Sequence, residues 1–438
     1  MEKFEIDSND EAEKFDYKQT KRKKSKSKKN KKYKFVKPLI LTIIFMISFI
    51  IILLYFYKTF QESRKNFIPN KYYNVLIGDI GGVHSRLRLL NMTSNISITP
   101  ILIQELNDTT ASYKTLEELL IKFLSDINPK NKPDYAFLGV PGPIEDNCII
   151  TLPNIPQWES YNGTELGKKL GFKKLIFIND FVGDGYAIQT NLVEKKDYIV
   201  LNKAQPKKNG AKLMIGPGTG LGMGFLLKNE DDNGYYTIGS SEGGGRDYAP
   251  KTKFDFKLRN FIKNETGLSN VSLETICSAR ALILIYKFLH ITENDNDDYN
   301  PKLKREPNLA KKIDNFHNYK EMNKIHEINS ELIKKGLKDE CQLSKRVLLI
   351  FLEIYGEITG DLALFTLANN GVYLLGRLTR ELTPLILENT IFMNHFKNKD
   401  HFWFLLERIP VYLVQNENIE LIGVTEAARR YFEDIENK

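Results

Sequence analysis

Two glycine-rich turns, each following a short apolar segment, constrain the fold of this chain more than any other feature. The first segment, Asn74-Val-Leu-Ile-Gly-Asp, runs into Ile80-Gly81-Gly82, and a partly apolar stretch comes next at 87–90. The second segment, Leu213-Met-Ile-Gly, runs into Pro-Gly-Thr-Gly-Leu-Gly and an apolar stretch at 223–227. Glycines let backbone N–H groups approach a phosphate closely. Two such strand–turn–strand units predict a duplicated α/β domain with a nucleotide between the halves.

Other phosphate-binding patterns do not fit these turns. No Gly-Lys-Ser/Thr comes after either of them, so neither is a P-loop. The segment after each turn is typical of a strand rather than a helix, so the dinucleotide fingerprint also fails. A single Gly-Gly hairpin is usually only a hairpin, so the prediction depends on the pair. Asp79, at the end of the first strand, is a candidate ligand of Mg²⁺, directly or through water.

Between the two turns lies Lys174-Leu-Ile-Phe-Ile-Asn-Asp-Phe, an apolar strand that ends in Asn179 and Asp180. A carboxylate at a strand end can take a proton from a substrate hydroxyl, and a neighbouring asparagine can orient that hydroxyl. A helix cap is the structural alternative for such a pair. The pattern alone leaves both interpretations open.

The positive charge of the chain is concentrated at its N-terminus. Residues 1–65 hold 17 basic and 8 acidic side chains, whereas residues 66–438 hold 46 and 47. The lysine-rich run at 21–34 cannot bury apolar area, so residues 1–37 are predicted to be a disordered basic tail. Because the remainder is near neutral, we expect no nucleic-acid partner.

Residues 38–57 contain no charged side chain, and twenty such residues are enough to cross a bilayer as a helix. We therefore expect a single transmembrane helix at 38–57 and a linker at 58–72, so that the protein is a single-pass membrane protein. The positive-inside rule places residues 1–37 in the cytosol. That orientation would put the predicted nucleotide site on the opposite side of the membrane, whereas ATP is most abundant in the cytosol, so the topology stays open.

From about Asn74 to Arg430, a series of segments in order resembles the bacterial-type glucokinases, which belong to the actin-like superfamily of sugar kinases. The matching segments are GDIGGVHSRLRL from Gly78, FLGVPGP from Phe137, Asn154 to Trp158, INDF from Ile178, GTGLG from Gly218, EGGGRDYAP from Glu242, Leu273-Glu-Thr, GVYLLG from Gly371, IPVYLV from Ile409 and Leu421-Ile-Gly.

The resemblance implies an α/β fold of the two-domain, actin-like ATPase (ribonuclease H-like) sugar kinase type, here preceded by the transmembrane helix. The small domain would span 73–190 and be completed by 419–438, and the large domain would span 191–418. Residues 292–337 are longer than the family usually has and rich in Lys, Asn and Asp, so we expect a surface insertion there.

The implied activity is transfer of the γ-phosphate of ATP to the 6-hydroxyl of glucose, with ATP and Mg²⁺ as cofactors and a small sugar as partner. Asp180 would be the general base and Asp79 would serve Mg²⁺. The sugar-binding residues would be Asn179, Glu242, Glu274 and Asn154. The nucleotide- and phosphate-binding residues would be Asp79, Gly81, Gly82, Gly218, Thr219, Gly220 and Gly376. A homodimer stays open.

Four departures from the family's motifs bear on activity. The Thr and Asn of the first phosphate motif are Val83 and His84, a sugar-contacting His is Gly245, and the second Gly of the adenosine motif is Arg377. The Ser-Gly-x-Gly after the second Glu reads Ser278-Ala-Arg-Ala. Several lost polar contacts together would lower activity by orders of magnitude. A catalytically impaired sugar-binding pseudokinase and a membrane-tethered scaffold are therefore the alternatives.

Overall fold

The structure, a computed structural model, describes residues 45–58, 70–152, 155, 157–190, 195–228, 234–292 and 303–438. The chain divides into two compact units, Met1–Asn70 and Lys71–Lys438. In the first unit, residues 45–58 form helix α1, whose large apolar side chains are all more than half exposed. Within the described ranges, no helix has both the length and the apolar character that a membrane span requires. The basic tail and residues 38–44 lie outside the described residues, and the span at 38–57 stays a prediction.

The first sheet of the second unit has the strand order β3-β2-β1-β4-β7. β1, β2 and β3 are antiparallel, whereas β1, β4 and β7 run parallel. A small hairpin, β5–β6, lies apart from this sheet. The strands are β1 (Tyr73–Ile80), β2 (His84–Met92), β3 (Ile101–Thr109), β4 (Tyr135–Val140), β5 (Ile144–Glu145), β6 (Cys148–Ile149) and β7 (Lys174–Asn179).

Helices cover both faces of the first sheet, which explains why β1 is apolar on both sides. Leu76 and Ile80 pack with α2 (Leu116–Ser125) and α3 (Gly163–Leu170), whereas Val75 and Ile77 pack against α15 (Ile419–Glu436). The C-terminal helix therefore completes a layer that begins more than 300 residues earlier.

The second sheet has the order β11-β10-β9-β12-β13-β8. β9, β10 and β11 are antiparallel, β9, β12 and β13 run parallel, and β8 pairs antiparallel with β13. Its first five strands therefore repeat the arrangement of the first sheet, which confirms the predicted duplication. The strands are β8 (Tyr198–Asn202), β9 (Lys212–Pro217), β10 (Leu221–Lys228), β11 (Tyr236–Ser241), β12 (Val372–Leu374) and β13 (Val411–Val414).

A large apolar core lies between the second sheet and the helices of the same part of the chain, among which α10 contributes the longest buried face. These helices are α5 (Lys253–Thr266), α6 (Leu273–Ile276), α7 (Ala279–Ile291), α8 (Pro307–Asp314), α9 (Met322–Leu337), α10 (Gln342–Thr366), α11 (Arg377–Glu381), α12 (Thr383–Glu388), α13 (Ile391–Lys397) and α14 (Trp403–Glu407).

Helix α4 (Asp180–Gln189) lies between the two sheets. Its Ala187 and Ile188 pack with Met214 and Leu226 of the second sheet and with Ile419 of α15. At the crossing of α4 and α15, Gly423 lies so close to the Gly183 carbonyl that a side chain at 423 would overlap it. Helix α4, which begins at Asp180, is thereby packed between the two halves. The boundaries at 190 and 418 stay a prediction.

Helix α9 lies in the segment 292–337, whose insertion stays a prediction, and one face of this helix packs into the core instead of lying on the surface. Its residues Ile325, Ile328 and Leu332 are buried in the core of the second half, with the 3–4 residue spacing of a core-facing helix. The apolar stripe was concealed because exposed lysines and glutamates on the opposite face of the helix dominate the composition of the segment. Residues 293–302 lie outside the described residues.

Candidate active site

The two predicted glycine turns line one cavity of about 780 Å³. The first turn, residues 81–83, joins β1 to β2, and the second turn, residues 218–220, joins β9 to β10. The structure therefore brings the two phosphate-binding candidates together across the space between the halves. Of the predicted nucleotide residues, Asp79, Gly81, Gly82, Gly218 and Thr219 line this cavity.

The first turn is closed by its own backbone. The Gly81 N–H donates to the His84 carbonyl at 2.9 Å, and the Gly81 carbonyl accepts from the Thr110 hydroxyl at 2.7 Å. A Cβ at Gly81 would stand 2.8 Å from the His84 carbonyl oxygen, so a glycine is required there. Val83, which replaces a hydroxyl-bearing residue, also lines the cavity.

The second turn is tied to the helices behind it. The Gly218 N–H donates to the Gly220 carbonyl at 2.8 Å, and the Gly218 carbonyl accepts from the Ala279 N–H at 2.9 Å. The Thr219 hydroxyl lies 3.4 Å from Nε2 of His326 on α9. Gly220 packs against the Glu274 carboxylate, which leaves no room for a side chain at 220.

Asp79 is buried at the end of β1 and forms an ion pair with Arg86 of β2. Arg86 Nε lies 2.9 Å from Asp79 Oδ2, and the same guanidinium donates through Nη1 to the Glu417 carbonyl and to Asn418 Oδ1, each at 3.0 Å. Arg86 therefore links the first glycine turn to the start of α15. This role of Arg86 was not predicted from the sequence, although the residue lies inside the segment GDIGGVHSRLRL.

Asp180 begins α4, directly after β7, and its Oδ1 accepts from the N–H of Phe181 at 2.9 Å. Protein atoms surround its carboxyl, although the residue as a whole is only half-buried. This burial raises the pKa of Asp180 to about 7, with smaller contributions from the negative charges of Asp79 and Glu242. A carboxyl with such a pKa can accept a proton near neutral pH.

Asn179 has a structural task in this structure. Its Oδ1 accepts from the N–H of Val182 at 3.2 Å, which caps α4, and its Nδ2 donates to the Gly142 carbonyl at 3.1 Å. The capping interpretation thus applies to Asn179 and not to Asp180. Asn179 holds the helix start from which the Asp180 side chain projects.

Glu242 comes directly after β11, and Glu274 lies in the first turn of α6. Glu274 Oε2 accepts from the Leu221 N–H at 3.2 Å, and its other oxygen lies 3.5 Å from Arg280. Glu242 and Asn179 line a second cavity of about 640 Å³. At Gly245, which replaces a family histidine, a side chain would meet open space. Asn154 lies outside the described residues.

Gly376 has a φ of +86° and directly precedes α11, and a Cβ at this position would overlap the Pro217 carbonyl. The backbone therefore requires a glycine at position 376. The next residue, Arg377, lines the same cavity as the two glycine turns and forms an ion pair with Glu381 at 2.7 Å. This ion pair holds the Arg377 side chain against α11, the helix to which both residues belong.

Two buried carboxyls near Asp180 were missed at the sequence level. Asp184 lies one helical turn further along α4, and Glu420 lies in the first turn of α15. Burial raises the pKa of both carboxyls well above the usual value, and the charges of Asp180 and Asp79 add to this effect. No local sequence signal marks them, because their burial arises only when α4 and α15 cross.

Among the described residues, no group of three or more His, Cys, Asp or Glu side chains is placed to hold a metal ion. A magnesium ion that binds together with a nucleotide needs fewer protein ligands, because it is held by one or two carboxylates plus substrate phosphates. Asp79 beside the two glycine turns meets that requirement. Both contacts from Arg86 are to Oδ2, so Arg86 does not engage Oδ1.

Comparisons with known proteins agree with this arrangement. The family model for Glucokinase matches residues 76–431. A glucokinase of Nostoc sp. (strain PCC 7120 / SAG 25.82 / UTEX 2576) is 30% identical over 359 residues, which cover 81% of this chain and 99% of the relative.

Solved structures share the fold. A glucokinase from an Antarctic psychrotroph has a TM-score of 0.62 at 24% identity, over 82% of this chain and 100% of that chain. The glucokinase of Balamuthia mandrillaris, solved in complex with glucose, has a TM-score of 0.61 at 18% identity, over 83% and 95% of the two chains. The duplicated sheets with two glycine turns at one cavity thus define an α/β sugar kinase fold.

Within that class, the match to the family model decides the assignment, since it covers most of the chain. This chain belongs to the glucokinase family. The resemblance stated from the motifs alone is confirmed.

Proposed function

We propose that the protein transfers the γ-phosphate of ATP to the 6-hydroxyl of glucose, with Asp180 as the general base. The observation that carries this proposal is the position of Asp180 between the two halves, where burial raises the pKa of its carboxyl to about 7. The ionised carboxylate accepts the proton of the 6-hydroxyl, the hydroxyl oxygen forms the bond to the γ-phosphorus, and the bond to ADP breaks.

Phosphoryl transfer depends mainly on positioning and on charge neutralisation. In this proposal the two glycine turns receive the phosphates, together with the Thr219 hydroxyl. Asp79 would hold a Mg²⁺ ion, which would neutralise charge on the phosphates. Glu242 and Glu274 accept hydrogen bonds from other sugar hydroxyls, since a carboxylate is a strong acceptor. Asn179 positions Asp180 by capping α4, and Asn154 stays a predicted sugar contact.

Replacement of Asp180 by asparagine tests the proposal. The variant should bind glucose nearly as well as the natural protein and lose about 10²- to 10⁴-fold in kcat. Asp184→Asn is the matched control, because the pKa of Asp184 is raised well above its usual value and a neutral amide resembles its protonated form. Unchanged kcat with weaker glucose binding in the Asp180 variant would assign Asp180 a structural role.

A catalytically impaired sugar-binding protein is the second candidate. Arg377 in the nucleotide cavity and the open space at Gly245 favour it, whereas the placement of Asp180 favours the kinase. Glucose binding by the natural protein without any ATP-dependent phosphorylation would decide for the impaired form.

Finer assignments belong to the same proposal. We assign the fold to the two-domain, actin-like (ribonuclease H-like) superfamily and propose that residues 38–57 anchor the protein in a membrane. The uncharged sequence of that segment and the exposed apolar side chains of α1 support the anchor. The scaffold alternative would use this anchor without catalysis. The homodimer stays a prediction.

A further inference from the structure

Three arginines among the described residues line the cavity that the two glycine turns share, namely Arg86, Arg377 and Arg380. Arg86 is paired with Asp79, and Arg377 is paired with Glu381. The side chain of Arg380, by contrast, has neither an ion pair nor a hydrogen bond with any described residue. Its guanidinium is therefore the one among these three that protein groups leave available for a ligand.

The charges that act on Arg380 show which way its side chain extends. Burial lowers the pKa of its guanidinium, the nearby charges of Glu417, Asp184 and Glu381 raise it, and that of Arg86 lowers it. Three of these four neighbours line the same cavity, and Asp184 lies on α4 one helical turn after the candidate base. The guanidinium therefore extends from α11 toward the centre of the cleft, where the two halves meet.

The guanidinium of Arg380 is open to contact with a ligand. The residue is half-buried, and none of its nitrogen atoms is both enclosed by protein and without a hydrogen-bond partner, as Arg430 Nη2 and Arg280 Nε are. Because no described residue engages these nitrogens, each of them keeps some accessible surface. Arginine stays charged at neutral pH, so Arg380 presents an accessible positive charge in the cavity.

The acids around Arg380 do not neutralise it. Burial raises the pKa of Asp184 well above the usual value, which favours the protonated, uncharged form of that carboxyl. Glu381 is paired with Arg377, and Glu417 is exposed to water, where its charge is screened. A partly buried charge without a partner is unfavourable. An anion that enters the cavity would supply the missing partner.

A phosphate group is the anion that this arrangement fits. The planar guanidinium offers two parallel N–H donors, which match two oxygens of one phosphate. The first glycine turn also lacks a hydroxyl donor, because Val83 occupies the position where the related motif has a threonine. We propose that Arg380 binds the phosphate groups of the donor nucleotide through its guanidinium, an inference that rests on the proposed kinase function. Arg380 then supplies part of the charge neutralisation on which phosphoryl transfer depends.

Calorimetry on the full-length protein, with ATP–Mg²⁺ and with adenosine as titrants, tests this contact. Arg380→Gln should weaken ATP–Mg²⁺ binding about 10- to 100-fold, because a charge-assisted contact is lost. The affinity for adenosine should stay unchanged, because adenosine carries no phosphate. Arg380→Lys keeps the charge but lacks the paired donors, so its affinity for ATP–Mg²⁺ should lie between those of the natural protein and Arg380→Gln.

Arg377→Gln is the matched control. Arg377 belongs to the same helix and lines the same cavity, but its guanidinium is engaged by Glu381, so this variant should not weaken ATP–Mg²⁺ binding. If Arg380→Gln does not fold, the comparison of ATP–Mg²⁺ with adenosine in Arg380→Lys decides.

The inference and the kinase proposal can fail separately. Equal loss of affinity for ATP–Mg²⁺ and adenosine in Arg380→Gln, or natural affinity for ATP–Mg²⁺ in both Arg380 variants, would contradict the phosphate contact and leave the kinase proposal standing. Selective loss of ATP–Mg²⁺ binding in a protein that phosphorylates no glucose would support the contact and contradict the kinase proposal. Absence of any nucleotide binding to the natural protein would overturn both.

Discussion

Gly183 and Gly423 lie where α4 and α15 cross, and we expect their replacement by alanine to have opposite effects on stability. A Cβ at Gly423 would overlap the Gly183 carbonyl oxygen, which belongs to rigid helix backbone. A Cβ at Gly183 would instead stand 3.5 Å from both Glu420 Cγ and Val424 Cγ2, which is ordinary van der Waals contact. Both positions lie at the contact between the same two helices, and both substitutions are glycine to alanine. Their comparison therefore isolates the effect of the close approach at Gly423.

Replacing glycine by alanine inside a helix gains about 1 kcal/mol from intrinsic propensity. Gly183→Ala should therefore be neutral or stabilising by up to about 1 kcal/mol. In Gly423→Ala the same gain is offset by overpacking, which typically costs about 1–3 kcal/mol and more when backbone must move. The net effect should be destabilisation of about 1–2 kcal/mol or more, since the overlap here is with backbone.

Urea unfolding of the full-length variants, followed by tryptophan fluorescence, measures the difference. The midpoint should fall for Gly423→Ala and stay or rise for Gly183→Ala, with unchanged dependence on urea concentration. Equal shifts in the two variants would refute the close approach at Gly423. A stabilised Gly423→Ala variant would show that the helices cross elsewhere.

Two further predictions concern the nucleotide and the membrane. The double variant Arg377→Gly, Val83→Thr should bind ATP–Mg²⁺ more tightly by about 1–3 kcal/mol, because one lost polar contact is restored and a large side chain leaves the cavity; equal affinity by calorimetry would mean that the substitutions are compensated. The full-length protein should stay in the membrane pellet after alkaline carbonate extraction, while a chain that starts at Phe67 should be soluble; release of the full-length protein would argue against an anchor at 38–57.

The two glycine turns and Asp79 could be predicted from the sequence because neighbouring residues in the chain mark each of them. A strand that runs into glycines predicts a turn with accessible backbone, and both turns, with Asp79 at the end of β1, line the expected cavity. A duplicated α/β domain was predicted from the same two segments. The series of motifs also identified the family, since many motifs in a fixed order along the chain are far more specific than any single motif.

The remaining features depend on contacts between distant segments, which local patterns do not encode. Arg86 reaches residues 417 and 418 more than 330 positions away, and Glu420 becomes buried only when α15 returns to the first sheet. Asn179 and Asp180 share one motif, yet only tertiary structure separates the cap from the candidate base. In α9, the apolar stripe was present in the sequence, but its polar composition concealed it.

The central claim is that Asp180 is the base for phosphorylation of glucose, and the pH dependence of kcat/KM for ATP-dependent glucose phosphorylation tests it most directly. Burial raises the pKa of Asp180 to about 7, and the base must be ionised to accept a proton. Activity should therefore rise about tenfold per pH unit below pH 7 and level off above it, and this step should be absent from the residual activity of Asp180→Asn. A rate that is independent of pH between about 5 and 8, or the same step in Asp180→Asn, would contradict the account.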